Sequence, residues 1–450
     1  MFFSRDALRS ASALLLSGAA LTLAACGGGG GKSIVPNAPA NGSSTTRQVR
    51  DNSGSIASET PVASDVFAQS IGVNAYLGYW GSAYANTGQV VSLLKNLGVR
   101  HIRDAAYAGD PGACAADAQL ASQGIGVLAV TKITMTQNDI NTMISCLGPA
   151  LEAVEPPNEY DLTHPSSDGN WPSTLAGYQR MLYSTVKSRS GAAVLAPGLT
   201  TSSAFGSLGS LSGSVDLANV HDYFAGHNPG SGGYGSTFAE GTYGSLAYFM
   251  NMSRLDTGAI PLWSTETGYG DRSSDLWPVP PTVKMHYILR TVLEHYNAGI
   301  SHTYIYQLAD SGIDEFFSFG LVDQNLTPKP AYTALKNLIG HVTDLSGVPP
   351  RTPLSYAISA PSSVHHLLLQ RSDRSYSLVL WNDVDEWDPN SNTAISVGPA
   401  STTVQFTNAP SSLKVTTFDN SGNTSTSSLG SQTSTSLSVD GAATILDIVP

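Results

Sequence analysis

The sequence predicts an α/β chain in which a closed (β/α)8 barrel precedes an all-β sandwich. Three observations lead there. At 450 residues the chain exceeds one ordinary core and suits a barrel of roughly 250 residues with a smaller companion. Between Asp65 and residue 342, short β-rich runs alternate with amphipathic segments, the pattern of repeated βα units. Beyond "KPAYTALKNLIG" the character changes to apolar–polar alternation, as in "SYSLVLWNDV" and "ATILDIV", with turn residues between. The expected division is 1–26 leader, 27–64 linker, 65–342 barrel and 343–450 β-sandwich.

The first element is a leader. Arg5 and Arg9 precede "ALLLSGAALTL", an apolar run too short to span a bilayer as a mature helix, so it reads as a signal peptide. It ends in "LAAC", which resembles the lipobox of bacterial lipoproteins and implies lipidation at Cys26, export and anchoring in the bacterial envelope. Five glycines follow, through which no helix continues. Residues 27–64 are rich in Gly, Ser, Thr, Asn and Pro without apolar periodicity and read as a tether.

Eight β-rich runs come next: "SIGVNAY", "RHIRDA", "GIGVLAV", "ALEAVEPPNE", "AAVLAPGL", "LANVHDY", "AIPLWSTETG" and "SHTYIYQLAD". Helical patterns separate most of them. "QVVSLLKNLG" places Val90, Val91, Leu94 and Leu97 on one face; "PPTVKMHYILRTVLEHYNAG" does the same with Met285, Ile288, Val292 and Tyr296, and both end at a glycine. An open doubly wound sheet is the alternative to a TIM barrel, but no glycine-rich phosphate loop follows the first strand. Once Cys26 is set aside, Cys114 and Cys146 are an even pair in an exported chain, expected to form a disulfide. Neither has a close Cys or His, so no structural metal is expected.

Active sites of such barrels lie at the C-terminal ends of the strands. There the fourth run ends in "VEPPNEYD" and the seventh in "WSTETGY", which would bring Glu159 and Glu266 into one cleft. Two carboxylates in one cleft suit glycoside hydrolysis, where one protonates the leaving oxygen and the other meets the anomeric carbon. Asn158-Glu159 after strand four, His221-x-Tyr223 after strand six and Glu266 after strand seven resemble the clan A retaining glycoside hydrolases, which include families five and thirty-nine.

That resemblance covers residues 66–340 and the attached sandwich, and it implies roles. Glu159 matches the acid/base, Asn158 the residue that bonds the sugar 2-hydroxyl, and Glu266 the nucleophile. Tyr223 holds the nucleophile's carboxylate and His221 lines the cleft. Arg103 resembles the arginine that supports the nucleophile, with Asp104 an equal candidate partner. Glu155 competes with Glu159 for the acid role, although its place before two prolines favours a supporting one. The family usually carries a Trp after strand eight, where "YIYQLAD" offers Tyr304 or Tyr306. Sugar-stacking candidates are Tyr79, Trp80, Trp171, Trp277, Phe316 and Phe317, each equally suited to core packing.

The expected partner is a β-linked oligo- or polysaccharide, met by a monomer that needs no cofactor. A net charge of −12 without a Lys/Arg cluster disfavours nucleic acid. The competing readings are a surface carbohydrate-binding lipoprotein that no longer catalyses, and a carboxylate-based lyase or a hydrolase of another bond.

Overall fold

A computed structural model describes residues 54–105, 111–310 and 318–450. The leader, Cys26, most of the tether and the pair Phe316 and Phe317 lie outside the described residues.

Eight parallel strands form one sheet: β1 (Ile71–Asn74), β2 (His101–Ala105), β3 (Gly126–Val130), β4 (Leu151–Glu155), β5 (Ala193–Val194), β6 (Ala218–His221), β7 (Leu262–Thr267) and β8 (Ile300–Ile305). Their order is β5-β4-β3-β2-β1-β8-β7-β6. A parallel bridge between Leu195 and Leu217, just beyond β5 and just before β6, joins the two ends of that order. The sheet is therefore a closed barrel, not an open doubly wound one.

The strands read as unbroken apolar runs because both of their faces are covered, by helices outside and by one another inside. Leu128, Ala153, Leu195, Trp263 and Tyr304 fill one layer of the interior. At the C-terminal ends of the strands the interior changes character, and Asn74, Arg103, Glu155, His221 and Glu266 are all buried.

The helices Thr87–Leu97 and Pro281–Ala298 stop at Gly98 (φ 86°) and Gly299 (φ 94°), left-handed positions that glycine occupies without a Cβ clash. On the first, Val90, Leu93, Leu94 and Leu97 are buried, so Leu93 takes the place expected of Val91. A disulfide between Cys114 and Cys146 (Cα–Cα 6.1 Å) joins the helices Pro111–Leu120 and Gln137–Leu147 on the outside of the barrel.

The sandwich has a four-stranded sheet (Ala57–Glu59, Leu354–Ser359, Ala400–Phe406, Ser434–Val439) and a six-stranded one (Val62–Ala63, Val364–Gln370, Tyr376–Asn382, Thr444–Val449, Ser412–Phe418, Thr424–Gly430). Alternate residues such as Ile358, Leu368, Leu378, Val404 and Leu446 make its core. Residues 57–63 fall within the expected tether, yet they supply an edge strand to each sheet. Two- and three-residue strands lack the length for a visible alternation, and their partners lie about 300 residues downstream, at Tyr356 and Leu369.

Candidate active site

Arg103, on β2, is the hub. It is 2% exposed, and all of its donor nitrogens are engaged. Nε and Nη2 form a fork on Glu155 at 2.8 and 2.9 Å, Nη1 reaches Asn74 Oδ1 at 2.9 Å and Glu266 Oε1 at 2.5 Å, and Nη2 also reaches Asn158 Oδ1 at 2.7 Å. One cation thus ties the ends of β1, β2, β4 and β7 together. Asp104, the other candidate partner, instead accepts the backbone N–H groups of Leu77 and Ala105.

Glu155 sits at the end of β4 with no exposed surface. Burial would raise its carboxyl, but the Arg103 guanidinium and His221 outweigh that and pull it down to about 2. It is a fixed anion, unsuited to carrying a proton at neutral pH. The acid candidate is Glu159, and its environment differs: its side chain is 16% exposed, and burial followed by the nearby Glu266 charge lifts its carboxyl against the pull of His221. Glu159 itself takes the left-handed conformation (φ 42°, ψ 52°), costly for a residue with a Cβ, as it opens the short helix Tyr160–Thr163. This corner turns its carboxylate from the strand end toward β6.

On β6, His221 offers Nδ1 to Glu159 Oε1 at 2.8 Å and Nε2 to Thr265 Oγ1 at 3.1 Å, and Thr265 in turn donates to Asn219 Oδ1 at 2.7 Å. Burial alone would lower the imidazole, but Glu266, Glu155 and Glu159 surround it and hold it at about 10. A doubly protonated ring donates from both nitrogens and fits these two contacts. The ring fits because Gly198 lies beneath it: a Cβ there would stand 2.4 Å from Nε2.

Glu266, on β7, accepts from Arg103 at Oε1 and from the Tyr223 hydroxyl at Oε2 (2.9 Å). The register of β7 slips between Ser264 and Glu266 against β6, a bulge that re-aims the side chain at the barrel mouth. One carboxylate oxygen of Glu159 and one of Glu266 lie within 4.8 Å of each other and of a His221 ring nitrogen. These three are also the donor types a metal would use. In the structure Glu159 Oε1 pairs with His221 Nδ1, and Glu266 pairs with Arg103 and Tyr223.

The aromatic candidates divide. Tyr306 joins Tyr76, Tyr223 and Phe319 in an edge-to-face cluster beside Glu266, with ring centroids 5.9 to 6.4 Å apart, and Tyr79 stacks on Tyr76 at 4.9 Å. Tyr304 lies wholly inside the barrel. Trp171 stacks on His164, which meets Tyr160 next to Glu159. Trp80 is 46% exposed and lines a groove of about 410 Å³ with Thr87, Gly88, Val91, Ala116 and Gln119. Trp277 packs its backbone against Gly226 in the segment after β6.

Sequence reasoning missed Asn74, Tyr76, Gly198, Asn219, Thr265 and Phe319. Only the polar Asn74 and Asn219, set inside apolar strand runs, carried a local signal.

No protein-family model and no curated protein sequence matches the chain. Solved structures do. A monomeric β-xylosidase from Caulobacter crescentus superposes with a TM-score of 0.59 at 13% identity, over 87% of this chain and 98% of that one. A family 51 α-L-arabinofuranosidase from Thermotoga petrophila gives 0.52 at 11% identity, again over 87% and 98%. At such identities the likeness is one of fold: a barrel followed by a sandwich.

Proposed function

We propose that this chain is a retaining glycoside hydrolase that cleaves β-glycosidic bonds in an oligo- or polysaccharide by double displacement. One observation carries the reading: two carboxylates with different surroundings face each other across the barrel mouth. Burial and the nearby Glu266 charge lift Glu159 toward the protonated form, whereas Glu266 accepts from the Arg103 guanidinium at Oε1 and from the Tyr223 hydroxyl at Oε2. An oxygen-to-oxygen approach within 4.8 Å suits direct attack on the anomeric carbon; inverting enzymes need about 6.5 to 9.5 Å to admit a water between.

In the first step Glu266 attacks the anomeric carbon while Glu159 gives its proton to the leaving oxygen. A cationic His221 bonded to Glu159 Oε1 leaves Oε2 to carry that proton. Attack neutralises the Glu266 charge, which had helped to hold the Glu159 proton, so Glu159 becomes the base that activates water in the second step. The Asn158 amide nitrogen, its Oδ1 being fixed by Arg103, is free to donate to the sugar 2-hydroxyl. Tyr306, Tyr76 and Phe319 would wall the sugar where the family usually places a Trp. That the β-xylosidase and the α-L-arabinofuranosidase that share this fold are glycosidases supports the class and leaves the sugar open.

We further propose that the chain is exported and held in the envelope through lipid on Cys26, supported by the "LAAC" sequence and the glycines after it. Cys26→Ser should then abolish membrane partition. Activity is tested on a panel of aryl β-glycosides and β-glycans, following the first-formed product by NMR. Release of the β-anomer before mutarotation is expected. First release of the α-anomer, or binding without product across the panel, would sink the proposal.

A further inference from the structure

Buried charge at the barrel–sandwich boundary converges on one short segment, the chain after β6 that begins with Tyr223. The segment turns at Ala225 (φ 50°) and Gly226 (φ 80°), where a Cβ would stand 3.0 Å from Pro389 of the sandwich. Two residues on, Asn228 is 2% exposed, and three of its polar atoms tie it to the sandwich and to Arg290. Its amide nitrogen donates to Asp383 Oδ1 at 2.6 Å, its backbone N–H to Asp385 Oδ1 at 2.9 Å, and its Oδ1 accepts from Arg290 Nη1 at 2.9 Å. At Gly230 a Cβ would lie 2.0 Å from the Asp383 carboxylate, so only a glycine allows this approach.

Arg290 closes the far side. It belongs to the barrel helix Pro281–Ala298, is fully buried, and donates to the carbonyls of Val384 and Gly441 and to Glu386 of the sandwich. From Asn228 the contacts run back toward the carboxylates. His227, its neighbour, stacks on Tyr234 at 4.6 Å; the Tyr234 hydroxyl donates to the Tyr223 carbonyl at 3.4 Å, and the Tyr223 hydroxyl holds Glu266. A boundary that served only adhesion would be served as well by apolar contact, since buried ion pairs gain little net stability and act mainly to fix one register.

We infer that the sandwich is a working part of the barrel mouth: Asp383 and Asp385 grip Asn228, and through it set the position of the Tyr223 hydroxyl on Glu266. Asp385 is thus a positioning residue. The kinetic consequence rests on the glycosidase reading, and the positioning rests on the contacts themselves.

The test is a double-mutant cycle on the full chain with an aryl glycoside. Asp385→Ala should lower kcat about tenfold with KM little changed, as expected for a displaced reacting group, and Asp385→Asn, which keeps the acceptor, should restore most of it. In a Tyr223→Phe background the same Asp385→Ala change should alter kcat by less than about twofold. Equal losses in both backgrounds, or a loss that follows only the unfolded fraction, would overturn the inference. Hydrogen exchange reads it without turnover: in Asp385→Ala, faster exchange should extend from Asn228 through His227 to Tyr223. If no glycoside is cleaved but exchange spreads this way, the positioning stands and the glycosidase reading falls. If exchange quickens at Asn228 alone, the positioning falls.

Discussion

The barrel mouth and the sandwich interior both bury most of their side chains and are built from opposite materials. The mouth gathers Arg103, Glu155, His221, Asn74 and Glu266, whereas the sandwich core is a run of Ile, Leu, Val, Tyr and Phe. Apolar packing is the ordinary route to stability, and buried charge is costly unless every group finds a partner. The mouth therefore spends stability on geometry: each charge has an opposite charge, and each oriented side chain is held by two elements or more. Polarity persists there against its thermodynamic cost, which marks the mouth as the working end of the molecule.

The largest effect is expected from Arg103→Met, which leaves Glu155 and Glu266 buried without their cation. A loss of about 3 to 5 kcal/mol in urea unfolding should result, together with loss of turnover. A variant as stable as the parent would show that the guanidinium is not what holds the mouth. Leu368→Ala in the sandwich should cost about 2 to 5 kcal/mol through a cavity, while kcat per folded molecule stays within about twofold. A fall in kcat beyond that would deny the division of labour. Reducing the Cys114–Cys146 bond, or replacing both cysteines by serine, should remove about 2 to 4 kcal/mol without changing the pH–rate profile.

The subtlest contrast is between two buried carboxyls. Glu155 has Arg103, and its folded value of about 2 lies below the usual 4.5, so it adds stability that is complete above pH 4.5 and lost as pH falls toward 2. Among the described residues no side chain partners the Asp256 carboxylate, and burial pushes it from 3.8 up to about 8. Below pH 3.8 it is protonated in both states. As pH rises the unfolded chain ionises first, so stability declines between about 3.8 and 8 and levels off beyond. Asp256→Asn should abolish that decline, with its Tm rising relative to the parent as pH increases from 4 to 8. A parallel pair of Tm curves would assign the slope elsewhere.

The barrel was legible because the strands between helices are doubly buried and read as apolar runs, and the helices end at glycines. The six residues Arg103, Asn158, Glu159, His221, Tyr223 and Glu266 stand together in the structure because each closes or follows a strand, a position readable from order alone. Asn74 carried only its polarity inside an apolar run, and Gly198 carried no signal at all. Their importance lies in contacts to Arg103 and His221 that exist only once the ring has closed. The strand at 57–59 was not legible either, since its edge pairing has no periodic signature. Trp80, an aromatic just past strand one, stands half exposed in a groove with Val91, Ala116 and Gln119.

The central claim is that Glu159 and Glu266 have different chemical roles, and azide rescue tests it most directly. With Glu159→Ala and an aryl β-glycoside whose leaving group needs no proton, the glycosyl-enzyme should still form, and azide should restore turnover with a β-glycosyl azide as product. With Glu266→Ala the same substrate should be inert, and azide should give at most the α-azide. If Glu159→Ala keeps full activity while Glu155→Ala shows the azide-rescued behaviour, the proton is carried by the carboxyl that Arg103 grips, and Glu159 is not the acid.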